Sequence, residues 1–309
     1  MLVLSEKPLS RIPGNTAEIK HIKNLADFAG NRDAQAIVCC RATAAAAVDM
    51  DFPALRLIQL TSAGFDNVPV QEYAKRGIAV ANAGSVYSTP IAETVVYGML
   101  SMAKKYRKNP NNHFFRLTRG YKYISELLGK NVLIMGAGSI GTEIAERLSG
   151  FKMNIYGYDP YCPQKEQYIS ILRTREELKR ELPTFDYVLS TMPDTAETKG
   201  FIDKDLLDEM NNSAVFVNVG RRAVINEDDL YAALKNRSIG GAVLDMFEKL
   251  PNPVTNRFRR LTNTIIMPGV AAISNEVNVR LEQHICDNIL LLSNDKQPNN
   301  VVNGVRWEK

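Results

Sequence analysis

Short apolar runs and amphipathic stretches alternate along most of the chain. In the first part "LVL" (2–4), "AIVCC" (36–40), "LRLIQL" (55–60) and "IAV" (78–80) read as strands. Between them, "PVQEYAKRG" (69–77) starts on a proline and stops on a glycine, the punctuation of a short helix. In "STPIAETVVYGMLSMAKKY", Ile91, Ala92, Val95, Val96, Met99 and Leu100 recur at helical spacing. Ser88 or Thr89 is the expected cap, and Pro90 falls in the first turn. A polar, irregular stretch follows, and then a second series of strands begins: 131–135, 154–158, 187–191, 214–219, 241–245 and 264–267. Helical patterns lie between most of them. "NEVNVRLEQHICDNILLLSND" reads as a long closing helix, and "NNVVNG" (299–304) as a short strand-like tail. Strands alternating with helices predict parallel sheets with crossover connections, here in two systems, one inserted into the other.

Composition narrows this picture only slightly. A chain of 309 residues, 45% hydrophobic and 23% charged, has enough apolar material for one large or two medium domains. The formal charge of +4 is spread along the sequence, and its densest group, "KKYRK" at 104–108, reads as a solvated helix end. No nucleic-acid recognition motif accompanies it. Of the four cysteines, Cys39, Cys40, Cys162 and Cys286, none has metal-ligand spacing to a histidine, so no metal is expected and all four read as buried reduced thiols. The N-terminal apolar run is too short for a signal sequence, and no segment is long enough to span a bilayer. The expectation is a soluble, cytoplasmic protein that binds neither membrane nor nucleic acid.

Candidate chemistry enters with "NVLIMGAGSIGTEIAERLSGF", which reads strand, glycine turn, amphipathic helix. Gly136, Gly138 and Gly141 form G-x-G-x-x-G. The first glycine permits the tight turn, the second lets backbone approach a pyrophosphate, and the third allows the helix to pack close to the strand. The helix N-terminus would offer free N–H groups to the phosphates. Asp159 ends the following strand, where an acid binds the adenosine ribose. A carboxylate there repels a 2′-phosphate, and no arginine follows at once, so NAD is expected rather than NADP.

From this point the chain resembles the D-isomer-specific 2-hydroxyacid dehydrogenases nearly end to end. "SAGFDNV" (62–68) is similar to the family's substrate-carboxylate loop, and "STPIAETVVYGML" to its interdomain helix. "FDYVLSTMPDTAETKGFID" resembles the strand and loop that cross the cofactor. "AVFVNVGRRAVINEDDLYAAL" and "IGGAVLDMFEKLPNP" resemble its two signature blocks. The resemblance implies an α/β architecture of two flavodoxin- or Rossmann-like domains with a cleft between them. The substrate domain would comprise 1–98 plus 285–309, and the NAD-binding domain 99–284. It also implies a homodimer and hydride transfer between NAD(H) and a 2-hydroxy or 2-keto acid. Ala63 and Gly64 would bind substrate. Gly136, Gly138, Ser139, Ile140, Gly141, Asp159, Met192, Pro193, Thr198, Val219, Gly220, Arg221, Asp245 and Gly269 would line the cofactor.

The family works with an arginine, a histidine and a glutamate. The arginine maps onto Arg221, in "VNVGR". The glutamate position in "DMFEKLP" holds Leu250, and the histidine position in "IIMPG" holds Gly269. The paired loss is coherent, because a glutamate left without its histidine would be a costly buried charge. Loss of a general acid removes about 10²–10⁴ in rate without abolishing turnover. His113 is the candidate substitute proton donor, with Tyr87 another; Glu248 and Lys249 flank the lost glutamate. Arg221 with Arg222 points to a substrate of extra negative charge. The leading expectation is an NAD-dependent oxidoreductase with an altered proton route. The alternative is a catalytically silent NAD(H)-binding redox sensor or interaction protein.

Overall fold

The computed structural model describes residues 1–12, 16–28, 30–105, 124–246 and 257–307. They form two compact units, Met1–Tyr87 with Ser274–Lys309, and Ser88–Ile273. Both crossings fall earlier in the chain than 98/99 and 284/285.

The first unit is built on a parallel sheet of β1 (Leu2–Ser5), β2 (Glu18–His21), β3 (Ala36–Cys39), β4 (Leu57–Leu60) and β5 (Ala79–Ala81) in the order β2-β1-β3-β4-β5. That is the flavodoxin-like order. Every residue of β1, β3, β4 and β5 is buried, which explains why they read as unbroken apolar runs. Apolar clusters cover both faces, one holding Leu4, Ile37, Ile58 and Tyr73, the other Val3, Val38, Leu57 and Ile289. The helices of this unit are α1 (Arg41–Ala46), α2 (Val70–Lys75) and α8 (Val277–Ser293). Val277, Leu281, Ile285 and Ile289 of α8 belong to the second cluster, so the whole helix lies in this unit rather than its last part alone.

A buried polar network ties the C-terminal segment to the sheet. Asn288 on α8 donates from Nδ2 to Gln59 Oε1 at 2.6 Å, and its Oδ1 accepts from Asn299 N at 2.8 Å. Asn303 accepts from Val80 N at 3.1 Å and donates to the Ile78 carbonyl at 2.8 Å. The expected tail strand is reduced to one antiparallel bridge, Ala81 to Val301, flanked by Asn82 N to Asn300 O at 3.1 Å and Val302 N to Val80 O at 2.8 Å. Beyond it, Val80 N turns to the Asn303 side chain.

The second unit begins with α3 (Ser88–Lys104). Gly98 stands so close to the sheet that an added Cβ would lie 2.7 Å from Val243 Cγ1, which fixes this helix to the second unit. The helix starts at Ser88 itself. Thr89 does not cap it, since its hydroxyl reaches Glu143 Oε1 at 3.1 Å. The strands are β6 (Asn131–Met135), β7 (Asn154–Tyr158), β8 (Ile171–Leu172), β9 (Tyr187–Ser190), β10 (Val215–Asn218), β11 (Gly241–Leu244) and β12 (Thr264–Ile266). All are parallel, in the order β12-β11-β10-β9-β6-β7-β8. Strand order reverses between β6 and β9, the switch point at which dinucleotides bind in doubly wound sheets. Helices α4 (Ser139–Ser149), α5 (Arg175–Glu181), α6 (Lys204–Asp208) and α7 (Glu227–Asn236) connect the strands. Capping is explicit at α5, where Thr174 and Glu177 form a reciprocal box, and at α7, where Asn226 accepts from Asp228 N and Asp229 N.

The cysteines depart from expectation. Cys39 and Cys286 are buried, but Cys162 is half-buried and Cys40 exposed, and all four are free. Cys40 lies just past the end of β3 at the cap of α1, beyond the continuous buried run that ends at Cys39.

Candidate cofactor and substrate site

Each glycine after β6 answers to a different constraint. Gly136 has φ +99, and a Cβ there would stand 2.7 Å from Thr191 Oγ1. Gly141 is the tightest: a Cβ would lie 2.1 Å from the Gly136 carbonyl oxygen, with α4 pressed against the turn. Gly138 has no heavy atom within 4 Å of an added Cβ. The wall there is open on the side a pyrophosphate would approach. Ser139 and Ile140 open α4, an 11-residue helix whose first N–H groups have no intrahelical acceptors. An open cradle above a helix N-terminus at the switch point fits a dinucleotide.

Asp159 follows β7. Its Oδ2 accepts from Ala137 N at 3.0 Å, and its Oδ1 accepts from Tyr161 N at 3.0 Å and Cys162 N at 2.9 Å. The carboxylate therefore joins the glycine loop to the strand beside it. Two cations unmarked by sequence reasoning reinforce this join. Lys165 Nζ donates to the Ala137 carbonyl at 2.6 Å and Thr142 Oγ1 at 2.9 Å; Arg173 donates to the Asp159 carbonyl at 2.8 Å and also to that of Cys162. Thr191 is the third residue missed, donating to the Gly136 carbonyl at 2.8 Å.

Across the switch point, Met192 is buried and Thr198 closes its loop by donating to the Pro193 carbonyl at 2.6 Å. Val219 is buried at the end of β10, with its N–H on the Ser190 carbonyl at 3.1 Å. Gly220 is required by close approach, since a Cβ would meet Met192 O at 2.8 Å and Met192 N at 2.9 Å. Arg221 comes next, partly buried, while Arg222 is exposed.

Asp245 ends β11 with only 7% of its surface exposed. Its Oδ1 accepts from Val270 N at 2.8 Å and Ala271 N at 3.0 Å, and its carbonyl accepts from Gly269 N at 2.9 Å. Burial pushes its carboxyl above the ordinary aspartate value, against the pull of those N–H groups. Pro268 and Gly269 form an exposed turn over this carboxylate. Gly269 has φ +67 and nothing within 4 Å of an added Cβ, so conformation alone, not crowding, calls for glycine.

Ala63 and Gly64 lie in the first unit, past the end of β4. Their loop is held by its carbonyls: Tyr87 Oη donates to Thr61 O at 2.6 Å, Asn82 Nδ2 to Ala63 O at 2.6 Å, and Ser62 Oγ to Gly64 O at 2.8 Å. Arg41 pairs with Asp66 at 2.8 Å. Among the described residues the N–H groups of Ala63 and Gly64 make no hydrogen bond, which leaves them for an anion. Tyr87 is spent on this scaffold, and burial raises its hydroxyl above the ordinary tyrosine value. His284 holds the Asn82 carbonyl at 2.9 Å, and His21 is an exposed residue of edge strand β2. His113, Glu248, Lys249 and Leu250 lie outside the described residues.

A cavity of about 250 Å³ lined by Met102, Lys130, Asp186 and Gly240 sits at the opposite, N-terminal ends of these strands. Among the described residues no cluster of histidine, cysteine, aspartate or glutamate could hold a metal ion, and no helix is long and apolar enough to cross a membrane.

Comparison with known proteins matches residues 96–271 to the NAD-binding domain of D-isomer-specific 2-hydroxyacid dehydrogenases. A glyoxylate reductase of Korarchaeum cryptofilum is 31% identical over 81% of this chain and 77% of its own length. A D-3-phosphoglycerate dehydrogenase of Archaeoglobus fulgidus is 29% identical over 81% of this chain, a match spanning 47% of that longer protein. Among solved structures, an acyclic imino acid reductase in complex with NADPH and D-Arg aligns with a TM-score of 0.79 at 20% identity, over 98% of this chain and 100% of that one; at that identity the likeness is one of fold.

Proposed function

This chain belongs to the D-isomer-specific 2-hydroxyacid dehydrogenase family, and on that premise we propose that it is an oxidoreductase acting on a small 2-hydroxy or 2-keto acid with an altered proton route. The observation that carries this reading is the open cradle of Gly136, Gly138 and Gly141 in one row of strand ends with Arg221. A nicotinamide dinucleotide bound there supplies or accepts the hydride. The chain's part is to hold and orient. The N–H groups of Ser139 and Ile140 would bind the pyrophosphate, and Asp159 the adenosine ribose. Arg221 of the second unit would hold the substrate carboxylate and polarise the carbonyl. In the first unit, the N–H groups of Ala63 and Gly64 would bind substrate.

NAD is the favoured form. Asp159 places a negative charge beside the glycine loop, and no side-chain cation pairs with its carboxylate among the described residues. We extend the reading to a cytoplasmic homodimer, on the strength of the family resemblance.

With Gly269 in the histidine position, reduction of a ketone would be slower by about 10²–10⁴ than with a general acid present, which is about 3–5.5 kcal/mol of barrier. The test is oxidation of NADH and NADPH with a panel of 2-keto acids, alongside Arg221→Ala. Turnover at least tenfold above that variant, with NADH preferred, is expected. Equal rates for the two proteins would refute the enzyme reading and leave a silent dinucleotide-binding protein.

A further inference from the structure

We propose that the preferred substrate is an imine rather than a free carbonyl: a 2-imino acid formed from a 2-keto acid and a primary amine, reduced to an N-substituted amino acid. This rests on the family reading above and narrows its substrate class.

The inference starts from what occupies the proton-donor position. Gly269 sits in an exposed Pro-Gly turn, and Leu250 stands in place of the glutamate that would keep a histidine charged. Among the described residues, the charge set directly against this turn is negative. Asp245 is buried beneath it, with its Oδ1 on the N–H groups of Val270 and Ala271. Two donors among the described residues are engaged elsewhere: Tyr87 gives its proton to the Thr61 carbonyl, and His284 is held at the Asn82 carbonyl. The site thus keeps an arginine for a carboxylate, removes the cation that would meet a carbonyl oxygen, and retains an anion.

Those features suit a cation at the reacting centre. Reduction of a ketone leaves an alkoxide, which needs a proton as it forms; a carboxylate nearby opposes that charge. A protonated imine arrives with its proton already on nitrogen. Its carbon gains the hydride pair from the reduced nicotinamide, and the C=N π pair becomes the nitrogen lone pair. The positive charge is cancelled, leaving a neutral secondary amine and an oxidised nicotinamide. The amine then takes a proton from water. No side chain transfers a proton, and a histidinium at this place would repel the substrate. Gly269 and Leu250 remove that repulsion, and the Asp245 carboxylate attracts the iminium charge.

The experiment incubates the full-length protein and NADH or NADPH with glyoxylate, pyruvate or 2-oxobutyrate, each with and without methylamine. Products are identified by mass spectrometry. The expected result is the N-methyl amino acid, formed about 100-fold or more faster than the hydroxy acid, the scale of the missing general acid. A second readout needs no turnover: by calorimetry, N-methylalanine should bind the protein more tightly than lactate, and Asp245→Asn should shrink the difference. Hydroxy acid as the main product, at a rate methylamine does not change, overturns the inference while the family reading stands. Absence of any reduced product across the panel overturns both. Equal binding of N-methylalanine and lactate overturns the inference by itself.

Discussion

Two glycine turns at strand ends of the second unit obey opposite rules. In the loop after β6, Gly141 is glycine because backbone stands 2.1 Å from where a Cβ would be. In the turn after β12, Gly269 is glycine only because its φ is +67; the space around it is empty. The first turn is a packed part with a fixed shape. The second is open, and its conformation disfavours any side chain there. Substitutions at one turn can therefore be limited by packing while those at the other are limited by backbone conformation alone.

Substitutions should separate the two turns. Gly141→Ala is the most severe, because the obstacle is a backbone carbonyl that cannot rotate away. We expect about 3 kcal/mol of destabilisation in urea unfolding, and NADH binding weakened about 100-fold as N–H groups lose their aim. Gly138→Ala should leave the fold within about 1 kcal/mol of the parent yet weaken NADH binding about tenfold. A large loss of stability there would show that Gly138 is packed like its neighbour.

Gly269→His tests the other turn. It should cost about 1 kcal/mol for a side chain in the left-handed region and fail to raise keto-acid turnover, since the sequence carries leucine, not glutamate, at position 250. A tenfold gain would show that the turn relaxes freely. The smallest effect concerns Asp245. Its folded carboxyl titrates above the unfolded value, so its contribution to stability is fully present below that value and is lost as pH rises through the raised one. Asp245→Asn, which retains an acceptor for Val270 and Ala271, should remove this contribution, so that the parent's urea midpoint falls relative to the variant's as pH rises above the ordinary aspartate value.

The glycine loop and the strands around it were legible because each is marked locally: continuous apolar runs for buried parallel strands, and fixed offsets for the glycines. β2 was not, because "EIKH" has only Ile19 partly buried and its other three residues exposed, so no apolar signal marks an edge strand. β8 is two residues long, too short for any period. Lys165 and Thr191 were missed because their partners, Ala137 and Gly136, lie 28 and 55 positions away, and a lysine bridging to a carbonyl leaves no pattern. The position of Gly269 was readable by resemblance. Its backbone conformation and the buried carboxylate beneath it required the fold.

The polar network of the first unit has a consequence for how the protein is made. Gln59 waits for Asn288, a partner 229 residues downstream, and Val80 for Asn303. The second unit is contiguous and can close as it leaves the ribosome. The first unit must hold an open sheet face through all of that synthesis, until α8 arrives. Its assembly waits on α8 and the segment after it, which emerge only once the whole second unit has been made.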